Sequence, residues 1–283
     1  MKKRDFKTEQ GIYPEWRDCM MNLILFLLCL IASTLGAITG VGGGILIKPI
    51  ADAMNLLPVS AISFLSGCTV FCMAASSLIR GRGNGVKLEK SVTIPLAAGS
   101  VAGGLLGKWM FELIRQNFSN EAVLGLIQAI LLLAMTLAVL VYYLFKSKIK
   151  PKNLRGLVLC AVVGLTLGII SSFLGIGGGP ANVAILCWLF SMTSKEAAKN
   201  SIFVIFFSQL VSLGSTFLGN TVPDVSIWLV VLMAAGGVVG AIIGSVISKR
   251  ISDQGVDKVF MYMLGAIALV NVWNIVRFIT ELV

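Results

Sequence analysis

The chain has no histidine, and only 13% of its 283 residues are charged. The first absence removes the commonest metal ligand and the usual proton shuttle near neutral pH. Six cysteines, Cys19, Cys29, Cys68, Cys72, Cys160 and Cys187, sit in or beside apolar runs. Cys68 and Cys72 are one helical turn apart. With no histidine and no acid at metal-ligand spacing, they read as small apolar residues, and no metal is expected. Neither a Gly-Lys-Ser/Thr phosphate loop nor G-x-G-x-x-G occurs, so no nucleotide cofactor is expected. No acid pair or nucleophile constellation sits at depth in the apolar sequence, which argues against an enzyme.

What the chain does have is apolar length. Hydrophobic residues make up 57% of it, and eight stretches carry no charge: 19–47, 53–79, 91–107, 122–145, 156–194, 200–223, 225–248 and 259–276. A helix needs about 20 apolar residues to cross a bilayer. Lipid offers the backbone no hydrogen-bond partner, and these runs do not alternate, so they are expected to be helices and not a barrel. The chain reads as an all-α, multi-pass membrane protein of eight membrane segments. The first run is too long for a signal peptide and leads straight into further spans.

The net charge of +10 does not imply nucleic acid as a partner, because the basic residues lie in connections. One group is Arg80, Arg82, Lys87 and Lys90, and another is Lys146, Lys148, Lys150, Lys152 and Arg155. If every run crosses once, both share a side with the basic N-terminal lead 1–18. By the positive-inside rule that side is cytoplasmic, in a bacterial inner membrane. The connection with Lys249, Arg250 and Lys258 then falls, less tidily, outside.

The sequence also repeats itself. "GVGGGILIKPI" at 40–50 returns as "GIGGGPANVAI" at 175–185, and "AAGSVAGGLLG" at 97–107 returns as "AAGGVVGAIIG" at 234–244. "MNLLPVSAIS" at 54–63 corresponds to "MTSKEAAKNS" at 192–201. The expected domains are two homologous four-helix repeats, 19–145 and 156–283, joined by the linker 146–155. Gly99, Gly103 and Gly107, like Gly236, Gly240 and Gly244, are spaced at i, i+4 and read as close-packing helix faces.

The glycine phrases interrupt helices at matching depth. A run of 39 residues, 156–194, fits one full helix, a break, and a further helix of about three turns. Pro180 stands where a new helix would begin. Broken helices in corresponding positions of two halves point to a transporter's binding site. Fresh helix N-termini offer free N–H groups and partial positive charge, and glycine lets an anion approach. Gly40, Gly42, Gly43 and Gly44, with Gly175, Gly177, Gly178 and Gly179, are therefore candidate substrate-binding residues for a small anion. Lys48, one turn on, is a candidate cation. Ser63, Asn182, Asn200 and Ser201 are candidate neutral donors. Thr39, Ser171 and Ser172 read as bonding within their own helices, and Gln209 as bonding a neighbouring helix.

With these residues in view, the chain resembles the sulfite exporter TauE/SafE family, also called the toluene-sulfonate uptake permease family. The resemblance rests on the doubled glycine phrase, on "VSAISF" and "AKNSIF" opening the next helices, and on the doubled "AAGxVxG". It implies transport of sulfite, sulfonates such as sulfoacetate, or related sulfur-containing anions, with the eight glycines lining the path. The expectation is a secondary transporter with the bilayer and a small anion as partners, and a homodimer left open. A passive anion channel and a non-transporting membrane partner subunit are the alternatives. Movement driven by membrane potential and proton coupling both stay open, since the acids Asp52, Glu112, Glu121, Asp224 and Glu281 lie at segment ends.

Overall fold

A computed structural model describes residues 14–55, 57–81, 88–117 and 121–282. Most of the N-terminal lead, and Arg82 and Lys87, lie outside them. The described residues form ten helices and no strand: α1 (Pro14–Thr39), α2 (Gly44–Met54), α3 (Val59–Arg80), α4 (Lys90–Asn117), α5 (Glu121–Leu144), α6 (Leu157–Phe173), α7 (Pro180–Phe190), α8 (Ser194–Leu218), α9 (Ile227–Arg250) and α10 (Asp253–Leu282). The charge-free run 156–194 holds α6, a glycine break and the 11-residue α7, whereas 19–47 holds most of α1, a glycine break and only the start of the 11-residue α2, which continues through Lys48 and Asp52.

Local chemistry explains the boundaries. Pro180 opens α7 at a position whose N–H no helix would use. Asn55 and Ser191, both in the left-handed region, stop α2 and α7. Thr193 and Glu196 then start α8 with a capping box, each side chain bonding the other's backbone N–H.

Six helices, α1, α3, α5, α8, α9 and α10, are long and apolar enough to cross a membrane. The expected count of eight is thus not met by length and composition. α6 has only 17 residues, and α4, which carries Lys108, Glu112 and Arg115, is not among the six. These two helices pack against each other instead. A Cβ on Gly99, Gly103 or Gly107 would strike the carbonyls of Ala161, Leu165 or Ile169. The matching register runs α1 parallel to α9, with Gly236, Gly240 and Gly244 against the backbone from Phe26 to Ala37. Small residues allow this approach, as anticipated for such faces.

The direction of each helix follows from such pairs. Asn274 donates to the Pro49 carbonyl and Arg277 to the Asp52 carbonyl, so α2 runs parallel to the end of α10 and opposite to α1. The linker amides of Lys152 and Leu154 bond the carbonyls of Trp188 and Leu189, so α7 returns to the linker that α6 leaves. α1–α2 and α6–α7 are therefore hairpins that go in and come back. Gly36 permits the first reversal, since a Cβ there would lie 2.6 Å from the Gly42 carbonyl carbon.

This overturns the premise that each charge-free run crosses once. α1 starts on the same face of the bundle as the end of α10, here the terminal face. The linker, Arg80, Lys90 and the turn carrying Lys249 and Arg250 lie at the opposite, linker face. Arg80 and Lys90 of the first basic group, and the second group, do not share a side with the start of α1.

Candidate functional site

The two breaks meet. A Cβ on Gly44 would strike the Ile176 carbonyl, and one on Gly178 would lie 3.0 Å from the Val41 carbonyl. Each break enters its crossing through left-handed backbone: Gly40 and Gly42 have φ of 78° and 84°, and Gly175 and Gly177 have 65° and 69°. A side chain is strained in that region, so glycine is required by conformation as well as by space. Each break is also pinned by the other half's long helix. Gly40 abuts Ala198 of α8, and Gly175 abuts Ser63 of α3, whose Oγ would lie 2.6 Å from an added Cβ.

Beyond the crossing, α2 and α7 begin inside the protein. Their N-caps, Gly43 and Gly179, supply no capping side chain. Buried helix starts without caps leave N–H groups in search of an acceptor. Buried polar atoms on these helices and on the helices packed against them are unspent too. The hydroxyls of Ser33, Ser63, Ser66 and Ser201 and the Asn182 amide oxygen have no hydrogen-bond partner. Ser66 and Ser201 are fully buried, and Ser66 faces Gly44. A buried polar atom left unpaired costs about 1–3 kcal/mol, so a cluster of them asks for a ligand.

A cavity of about 80 Å³ opens beside the crossing toward the terminal face. Gly175, Gly177, Ser63, Ser171, Ser172 and Gln209 form its inner wall, and Lys108, Glu112 and Thr216 its mouth. Lys108 donates to Thr216 at 2.6 Å and to Ser215 at 3.2 Å, which ties α4 to α8.

The candidate residues therefore divide. Gly175, Gly177 and Ser63 line this cavity. The other six glycines do not line it; of these, Gly44 and Gly178 meet the opposite break at the crossing. Asn182 lies buried in the first turn of α7, and Ser201 lies buried on α8, which packs against α7. Asn200 is elsewhere: its oxygen accepts from the Glu89 N–H and the Thr93 hydroxyl, fixing the start of α4. Lys48 does not line that cavity either. It donates to Asp52 at 3.1 Å, and both side chains are buried. Asp52, expected at a segment end, is thus an interior charge, paired within its own helix.

Three cavity residues were read from sequence as purely structural. Ser171, Ser172 and Gln209 all line the wall, whereas Thr39 does bond the Leu35 carbonyl of its own helix. Ser66 was missed. It stands 135 residues before Ser201, and the helix starts Val59 and Ser194 are also 135 apart. Aligning the halves on that offset, and not on 54–63 with 192–201, pairs the two serines.

An all-helical bundle with six membrane-length helices, in which α1–α2 and α6–α7 turn back at glycine breaks, defines a multi-pass membrane protein. Residues 25–270 match the sulfite exporter TauE/SafE family, and the chain belongs to it. It is a membrane transporter of that family. It is 24% identical over 274 residues to probable membrane transporter protein YunE of Bacillus subtilis, covering 87% of this chain and 95% of that protein. It is also 24% identical over 270 residues to probable membrane transporter protein MJ0441 of Methanocaldococcus jannaschii, covering 90% and 97%. No solved structure matches it significantly.

Proposed function

We propose that this chain is a secondary transporter that carries a small sulfur-containing oxyanion, such as sulfite or a sulfonate, through the crossing of the two glycine breaks. The observation that carries this reading is two uncapped, buried helix starts, the first flanked by the unpartnered hydroxyls of Ser33 and Ser66 and the second carrying the buried Asn182 amide. Such a site offers an oxyanion N–H and O–H donors and partial positive charge without burying a free basic side chain. The family supports the substrate class. No ATP motif is present, so a gradient supplies the drive, and a potential negative inside favours export of an anion.

The exchange of partners between the halves supports reading 19–145 and 156–283 as one unit used twice, in opposite orientation. α1 packs on α9 as α6 packs on α4, and α2 on α10 as α7 on α5. The positive-inside rule then puts the linker face in the cytoplasm. Arg80, Lys90, the basic linker, Lys195, Lys199, Lys249, Arg250 and Lys258 all lie there. On this orientation the start of α1 is outside, contrary to the first expectation from sequence.

The test is flux of sulfite and sulfoacetate in proteoliposomes, comparing the native chain with Ser66→Ala and Ser201→Ala. Losing one hydrogen bond to a charged ligand costs about 1.5–3 kcal/mol, so each variant should weaken the apparent affinity roughly tenfold or more. Unchanged saturable flux in folded variants would remove the crossing as the site. Flux far above carrier turnover would make the protein a channel, and no flux from a folded native chain would favour a partner subunit.

A further inference from the structure

A second cavity, of about 360 Å³, lies on the linker face between α1, α3, α8 and α9. It is the counterpart of the hydroxyl-lined cavity at the other end. Ser77 stands 135 residues before Ser212, Ala198 stands 135 after Ser63, and Lys195 and Lys199 stand 135 after Ser60 and Phe64; each pair lines the two cavities in turn. α9 replaces α4, so Lys249 takes the place of Glu112. The same pocket has thus been built twice, with a different charge at each end. Three positions that are serine, phenylalanine and glutamate at one end are lysines at the other.

We propose that this second cavity is a binding vestibule for small oxyanions, in which Lys195, Lys199 and Lys249 collect the anion before it reaches the crossed breaks. The proposal rests on the transport reading and adds to it a named entry site and a functional asymmetry between the two ends. No carboxylate is among the described residues that line the cavity. Among the described acids on the same elements, Asp257 is paired with Lys146 and Ser194, Glu196 accepts from the Thr193 N–H, and Asp253 accepts from the Lys195 backbone N–H. Ser77, which lines the cavity and is 9% exposed, has a hydroxyl without a partner, a donor for a bound oxyanion. A concave surface with charge of one sign focuses the field and raises the local concentration of the opposite ion. The hydroxyl-lined cavity, where Lys108 stands one turn from Glu112, lacks that field. Entry from the linker face should therefore saturate at lower anion concentration than entry from the terminal face.

The experiment needs no transport to be decisive. Ser77→Cys and, as its counterpart, Ser212→Cys are made in the full chain and purified in detergent. Each is treated with a sulfonate-bearing methanethiosulfonate and with its trimethylammonium analogue, against the unsubstituted chain as background. In Ser77→Cys the anionic reagent should react roughly tenfold faster than the cationic one, and sulfoacetate should slow it. That preference should collapse in a Lys195→Gln/Lys199→Gln/Lys249→Gln background and be absent in Ser212→Cys. Equal rates for the two reagents at Ser77→Cys, or a preference that survives the lysine changes, overturn the vestibule. A preference that behaves as described, in a chain that moves no oxyanion in proteoliposomes, leaves the vestibule standing and removes the transport reading. Where flux is measurable, the triple variant should raise KM about tenfold for anion entering at the linker face and leave the opposite KM unchanged.

Discussion

Gly44 lies against the carbonyl oxygen of Ile176, so closely that one methyl group would not fit between them. The contact joins the first residue of α2 to the middle of the second glycine break, and it brings together two segments more than 130 positions apart in the chain. Gly44→Ala should therefore force the breaks apart. Overpacking of this kind costs about 1–3 kcal/mol or more, so the melting temperature in detergent should fall by several degrees. Gly265→Ala, where no atom lies within 4 Å of the added group, should leave it unchanged. Equal melting of both variants would mean the breaks do not touch.

The buried Lys48–Asp52 pair gives a prediction of non-additivity. Lys48→Met strands a carboxylate in the interior, and breaking such a pair costs about 3–5 kcal/mol. Lys48→Met with Asp52→Leu removes both charges and should recover most of that loss. Thermal melting of the two single variants and the double variant makes the comparison. A double variant as unstable as the sum of the singles would show that the two side chains do not act as a pair.

Topology is directly measurable. The start of α1 and the end of α10 lie at one face of the bundle, and the linker 146–155 at the other. A reporter fused at the C-terminus and one inserted in the linker should read opposite sides of the membrane, with the linker reporter cytoplasmic. Matching signals would eliminate the re-entrant hairpins.

The small-residue seams should be intolerant in a way that exposed glycines are not. Gly103→Leu and Gly240→Leu each drive a side chain into a backbone carbonyl, of Leu165 and of Leu30. Both should abolish or sharply reduce the folded yield, as judged by gel filtration. Gly214→Leu, with nothing within 4 Å of the added group, should give a normal profile.

Much of this was legible locally. A charge-free run specifies a helix in lipid because the backbone has no other partner there. Four glycines in five residues specify a break, because φ near +70° excludes side chains, and Pro180 marks where the helix resumes. The TauE/SafE family is likewise written in the doubled phrase. Direction was not legible. Nothing between 156 and 194 says that α7 turns back toward the linker, because reversal depends on which helix the returning segment packs against. Asn274 and Arg277, more than 220 residues from their partners on α2, decide that for the first half.

The cavities are decided at the same level. Lys195, Lys199 and Lys249 look like ordinary loop charges in sequence, and Ser77 looks like any serine in an apolar helix. They share a pocket only because α1, α3, α8 and α9 are brought together from both halves. The sequence by itself determined the medium, the helices and the places where they break, since each depends on residues within a turn or two. Tertiary structure alone decided that the breaks cross, that Lys48 is spent on Asp52, and that one end of the bundle carries the lysines. Those outcomes depend on contacts between segments far apart in the chain, and no local pattern encodes them.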